Sequence, residues 1–68
     1  MKNITIFLNQ DGVFWIATCA EIPEANGQGK TREEAVESLR EAIDFLFEYR
    51  REEANKNFAG FSREILAV

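Results

Sequence analysis

Thr31-Arg32-Glu33-Glu34-Ala35-Val36-Glu37-Ser38-Leu39-Arg40-Glu41-Ala42-Ile43-Asp44-Phe45-Leu46-Phe47-Glu48-Tyr49 is the stretch that decides the fold. It opens on a capping box: Thr31 is placed to accept from the N–H of Glu34, and Glu34 to reach back to the N–H of Thr31. Glu33 and Glu34 complement the positive end of the helix dipole. No Gly or Pro follows before Gly60, and strong helix formers dominate. The spacing predicts one helix from Arg32 to about Ala54. On a helical wheel, Ala35, Leu39, Ala42, Ile43 and Leu46 form a central apolar stripe. Val36 and Phe47 widen it on one side, Phe45 and Tyr49 on the other. The arc is then about 200° wide, twice the ~100° needed to cover a sheet. Either Phe58 and Phe61 fold back over one flank, or a second subunit or partner covers it. Phe45, Tyr49, Phe58 and Phe61 are thus the candidates for self-association. Glu37, Glu41, Asp44 and Glu48 lie opposite, together with Arg40 and Arg51, a solvated face or a docking strip for a basic partner.

Upstream of the helix the pattern changes to strands. Ile4-Thr5-Ile6-Phe7-Leu8 is β-branched and aromatic. Asn9-Gln10-Asp11-Gly12 follows, a polar cluster whose Asp-Gly pair favours a hairpin. Val13 to Ala20 reads as a second strand, with Val13, Trp15, Ala17 and Cys19 on one face and Phe14, Ile16, Thr18 and Ala20 on the other. Both faces are largely apolar, so the strand is expected in the centre of a sheet, with cover on each side or a partner on one. Pro23 cannot join a central ladder. Ala25-Asn26-Gly27-Gln28-Gly29 is a loop by propensity; its small residues also suit a short strand under a closely packed neighbour. Downstream, residues 56–62 connect the helix to Glu64-Ile65-Leu66-Ala67-Val68, which reads as a last strand. The order β-β-(β)-α-β gives an α+β fold, a small antiparallel sheet with one long helix on a face.

Composition narrows the function. Sixty-eight residues make one domain, 46% hydrophobic, with six Phe, one Trp and one Tyr for a core. Net charge is −4, from 12 acidic and 8 basic residues. The basic residues are scattered among acids, so direct nucleic-acid binding is not expected. An acidic surface suits a basic protein partner or simply keeps the chain soluble. No run approaches a membrane span and no signal-peptide pattern precedes the first strand, so the expected location is the cytoplasm. The chain has no His and a single Cys, Cys19, in an apolar run. That removes Ser-His and Cys-His nucleophile pairs, disulfides within the chain, and any recognisable zinc spacing. Gly27-Gln28-Gly29 lacks the third glycine of a dinucleotide fingerprint and the Gly-Lys-Ser/Thr of a P-loop. No cofactor, metal site or catalytic residue is expected, and the chain reads as a binding protein rather than an enzyme.

Asp11-Gly12, Trp15-Ile16-Ala17, Glu21-Ile22-Pro23 and Gln28-Gly29-Lys30-Thr31-Arg32-Glu33-Glu34-Ala35 together resemble the HicB antitoxin family. The block from Gln28 to Ala35 is its most specific part, and the likeness runs from about Ile4 to Tyr49. Ala20 and Glu24 depart from the Pro and Gly frequent in the family's corner. The resemblance implies a single HicB-like domain over residues 1–68 with a β-β-β-α-β, truncated RNase H-like fold, and it makes Ala25–Gly29 a strand. It also implies a cytoplasmic toxin–antitoxin role, in which the partner is a HicA-type toxin, a small basic mRNA-cleaving protein whose catalytic surface the antitoxin covers. RNase H chemistry is not implied, because Ile4–Leu8 has no acid at its centre. Many family members continue into an operator-binding domain; this sequence reads only to Val68, so the expectation carries no DNA binding by this chain. Charge complementarity then selects Asp11, Glu24, Glu33, Glu37, Glu41 and Glu48 as partner contacts. The alternative is a stand-alone homo-oligomeric module of the same fold, without a toxin.

Overall fold

A computed structural model describes residues 3–67. Three strands precede one helix: β1 (Ile6–Asp11), β2 (Phe14–Cys19), β3 (Asn26–Gly29) and α1 (Arg32–Asn57). The sheet is antiparallel in the order β1-β2-β3. The α+β architecture read from the sequence is therefore present, with β2 central and the helix against one face.

Boundaries differ in instructive ways. β1 begins at Ile6 and runs through Asn9, Gln10 and Asp11, which pair with Ile16, Trp15 and Phe14. The polar cluster is thus strand rather than turn, because the loop needs only Gly12 and Val13. Gly12 has φ 63° and no other hairpin residue has positive φ. That is the φ pattern of a type II′ turn, which places Gly first and matches the twist of the flanking strands. Residues 26–29 form a strand, as the family likeness implied and propensity did not: Gly27 and Gly29 pair with Ala17 and Trp15.

Gly27 and Gly29 also explain how the helix packs. A Cβ on Gly27 would lie 2.6 Å from the carbonyl oxygen of Ala35 and 2.8 Å from Cα of Leu39. On Gly29 it would lie 2.8 Å from the backbone nitrogen of Ala35. The helix therefore rests directly on β3, and the core is built of small groups. Ala17, Cys19, Ala25, Ala35 and Leu39 are buried, ringed by half-buried Leu8, Trp15, Ile22, Ala42 and Ile43. Cys19 is a free, buried thiol, as its apolar neighbours predict.

The helix starts where its capping box says. Thr31 Oγ1 accepts from the Glu34 N–H at 3.1 Å. The return bond is displaced by one residue, since Glu34 Oε2 accepts from the Lys30 N–H at 3.1 Å rather than from Thr31. The Glu34 N–H is satisfied as the capping box predicts, and the second bond goes to the N–H of the residue before the cap. At the other end the helix runs three residues past the expected Ala54, to Asn57. The Phe58 N–H caps it on the Ala54 carbonyl at 2.9 Å, and Gly60 turns the chain at φ 93°.

Twenty-six helical residues span about 39 Å at 1.5 Å each, longer than any strand in the sheet. The molecule is accordingly elongated, 50 × 22 × 15 Å. Only the first half of α1 lies over the sheet; Ile43 is its last residue against the core. The remainder projects beyond it, and with it residues 58–67. This is why the expected last strand over Glu64–Val68 is absent among the described residues, Val68 itself lying outside them. The segment is strand-like in composition but is carried past the sheet that would pair with it.

Candidate binding surfaces

Three surfaces remain open once the core is formed. The first is the acidic face of α1. Glu33, Glu37, Glu41, Asp44 and Glu48 fall within about 80° of one another at 100° per residue, directly opposite the Ala35–Leu39 stripe, and all are exposed. Glu37 meets Arg40 at 3.5 Å across one turn, an exposed pair that leaves the strip acidic. The other two selected acids lie elsewhere. Asp11 closes β1 at the hairpin, the end of the sheet nearest the start of the helix, where the Arg32 guanidinium lies 5.4 Å from the Trp15 ring centroid. Glu24 sits in the turn before β3, where its carboxylate accepts from Arg50 at 2.6 Å. That contact ties the overhanging half of the helix back to the Pro23-Glu24 turn. The structure thus gathers Glu33, Glu37, Glu41 and Glu48 into one strip, places Asp11 at the hairpin, and engages Glu24 within the molecule.

The second surface is the flank of the helix beyond the sheet. Phe45 is 75% exposed and Tyr49 54%. Phe58 and Phe61 do not fold back over them. Their rings instead pack edge to face on each other, 5.3 Å between centroids, just past the helix end. Of the two outcomes open in the sequence, cover by the following segment is therefore not the one observed. Phe47, on the opposite flank, is also exposed.

The third surface is the second apolar side of β2, for which the sequence left open either further cover or a partner. It is the sheet face turned away from α1, bearing Phe7, Phe14 and Ile16, with Val13 beside it in the hairpin. Phe7 is 61% and Val13 73% exposed. Its signal was present in the two-sided apolar pattern of β2, of which the helix uses one side only. Just past the end of β2, Glu21 Oε1 accepts from the Thr5 N–H at 2.7 Å and from the Cys19 thiol at 3.6 Å. The Thr5 backbone bond is the main cause of a Glu21 carboxyl held below its ordinary range.

Among the described residues, no three Cys, Asp or Glu side chains converge to hold a cation, and no helix is long and apolar enough to cross a membrane. What fold and surface define is a small α+β module whose one helix covers one face of a three-stranded sheet. The chain is similar to a UPF0150 protein of Synechocystis sp., 49% identical over 47 residues, which are 69% of this chain and 64% of that relative. The chain thus spans a little under two thirds of the relative's length. No family model matches the sequence, and no solved structure matches it.

Proposed function

We propose that this chain is a protein-binding module of the HicB type that neutralises a HicA-type mRNA-cleaving toxin in the cytoplasm by covering its active surface. The observation that carries the reading is the acidic strip of Glu33, Glu37, Glu41 and Glu48 on the free face of α1, in a chain of net charge −4. Such a strip suits a small basic partner. The Gln28–Ala35 block supports the same reading through its likeness to the antitoxin family. Co-expression with a HicA-like protein encoded beside it tests the idea: a soluble complex is expected, and a clean failure to bind removes the reading. Within that complex, replacing Glu37, Glu41 and Glu48 together by Lys should slow association at low salt. Unchanged association would take the strip out of the interface.

A second reading, a homo-oligomeric module with no toxin, is favoured by the bare aromatics Phe45 and Tyr49. It expects a solution mass of more than one chain from the isolated protein.

A further inference from the structure

The sheet has two edges, and they are not equivalent. The Ala20 N–H donates to the Thr5 carbonyl at 2.9 Å. Antiparallel ladders alternate in the direction their backbone groups face. Thr5, Phe7, Asn9 and Asp11 therefore turn towards β2, and Ile6, Leu8 and Gln10 turn their N–H and C=O groups outward. On the opposite edge, β3 has four residues under the helix, and its Gln28 N–H is taken by Ser38 Oγ at 3.3 Å. β1 has six residues and, among the described residues, no such cover. It contains no Pro and no Lys, the residues that commonly protect an edge from pairing.

The same molecule holds a segment with strand composition and no strand to pair with. Residues 63–67, Arg63-Glu64-Ile65-Leu66-Ala67, lie outside any element. Ile65 is 92% exposed and Leu66 83%, the barest large aliphatics described. The helix carries them about 21 Å past Ile43, at 1.5 Å per residue to Asn57, and so away from their own β1.

We propose that the free edge of β1 accepts residues 63–67 of a second copy of this chain as a fourth strand, and that the exchange is reciprocal. One antiparallel register satisfies charge, face and backbone together. With Arg63 opposite Asp11, Leu66 comes opposite Leu8 on the helix side of the sheet, where Leu8 is already half-buried against the core. Ile65 and Ala67 come beside Asn9 and Phe7 on the bare face. Leu8 with Leu66, and Gln10 with Glu64, exchange the outward backbone groups. A slip by one residue that sets Glu64 against Asp11 opposes two like charges and moves every side chain to the other face. A second copy is the occupant the molecule itself points to, because each chain holds one donor segment and one acceptor edge. A two-fold pair uses both. The inference stands apart from the toxin reading, since it concerns this chain alone.

The test is the solution mass of the intact chain by light scattering, with far-UV circular dichroism to monitor folding. A mass of twice 7.8 kDa is expected. Ile65→Asp with Leu66→Asp should halve it and leave the helix signal unchanged, because neither side chain packs on its own molecule. Gln10→Pro removes an outward N–H, tolerable in an edge strand, and should halve the mass from the acceptor side. Asp11→Cys chains mixed with Arg63→Cys chains should form a disulfide between the two. A single-chain mass at the highest soluble concentration overturns the proposal. So does a dimer that survives the tail variants but is halved by Phe45→Ser with Tyr49→Ser, which would place the interface on the helix flank.

Discussion

Gly27→Ala tests the packing argument on which the fold rests. The added methyl group must sit 2.6 Å from the Ala35 carbonyl oxygen and 2.8 Å from Leu39 Cα, where ordinary heavy-atom contacts need about 3.5–4.0 Å. Both neighbours are helix backbone, so no side chain can rotate out of the way. The helix must lift from β3 by roughly 1 Å, enough to forfeit much of the contact energy of the atoms involved. Overpacking of this kind costs about 1–3 kcal/mol. Ala restrains the unfolded chain more than Gly and returns about 0.4–1 kcal/mol, which leaves a net loss of about 1–2 kcal/mol. In a domain of this size that lowers Tm by roughly 5–15 °C. Thermal unfolding followed by circular dichroism is the assay, with Gly60→Ala as comparison. Gly60 has open space around it but φ 93°, so Ala there is costly through backbone strain of about 1–2 kcal/mol and should leave the amide signals of the sheet in place. Gly27→Ala should shift those of β3 and of residues 35–39. A Gly27→Ala protein melting within about 2 °C of the parent would refute the close approach of helix and sheet.

Thr31→Ala removes the acceptor for the Glu34 N–H and should lower stability by about 1 kcal/mol, read as a smaller urea midpoint at unchanged slope. Leu39→Ala empties the centre of the small core at a cost of about 2–5 kcal/mol, and circular dichroism should show the chain largely unfolded at room temperature. The exposed Glu24–Arg50 pair should couple by no more than about 1 kcal/mol in a double-mutant cycle with Glu24→Gln and Arg50→Gln, despite its 2.6 Å contact. Glu21 is lowered first by the Thr5 backbone bond. A carboxyl lowered in the folded state favours folding above its unfolded pKa, and that contribution disappears as pH falls through the folded one. Melting measured downward from neutral pH should therefore show an acid loss that Glu21→Gln lacks; parallel curves for the two proteins would contradict the role of the Thr5 bond.

The helix was the most legible part of the sequence because its signals are local and agree. The Thr31–Glu34 cap, the absence of breakers and the 3.6-residue stripe all point the same way, and only the length came out short. Strand β3 was a loop by propensity, open as a short strand through its small residues, and made a strand by the family likeness. Asn26, Gly27, Gln28 and Gly29 are poor strand formers, and what makes them a strand is a tertiary demand, the helix backbone lying where Gly27 and Gly29 have no Cβ. The expected terminal strand shows the converse. Ile65 and Leu66 have the right local preference, but pairing requires a neighbour, and the length of α1 decides whether one is in reach. On the helix, periodicity placed Glu37, Glu41, Asp44 and Glu48 on one exposed face because one element fixes their spacing, and Glu33, chosen by charge, falls on the same face. Asp11 and Glu24 depend on how separate turns are placed, which periodicity does not encode. The Arg50 partner of Glu24 lies 26 positions away and has no sequence signal.

The apolar surplus of β2 links these observations. Strands in an antiparallel sheet with one wet face alternate apolar and polar residues, and β2 departs from that pattern with Phe14 and Ile16 opposite the buried Ala17 and Cys19. Folding consumes one side only. Among the described residues the buried set contains Leu39 but no aromatic residue: Phe7 and Phe14 sit on the sheet face turned away from the helix, Phe45 and Tyr49 on the part of α1 beyond the sheet, and Trp15 is half-buried beside the core. That inversion, small groups inside and large ones outside, does not follow from a shortage of apolar residues. It follows from strand alternation, which sends Phe7 and Phe14 to the face without the helix, and from the length of α1, which carries Phe45 and Tyr49 past the sheet. Gly27 and Gly29 close the core on small groups, while the uncovered sheet face and the overhanging helix leave aromatic surface available for association.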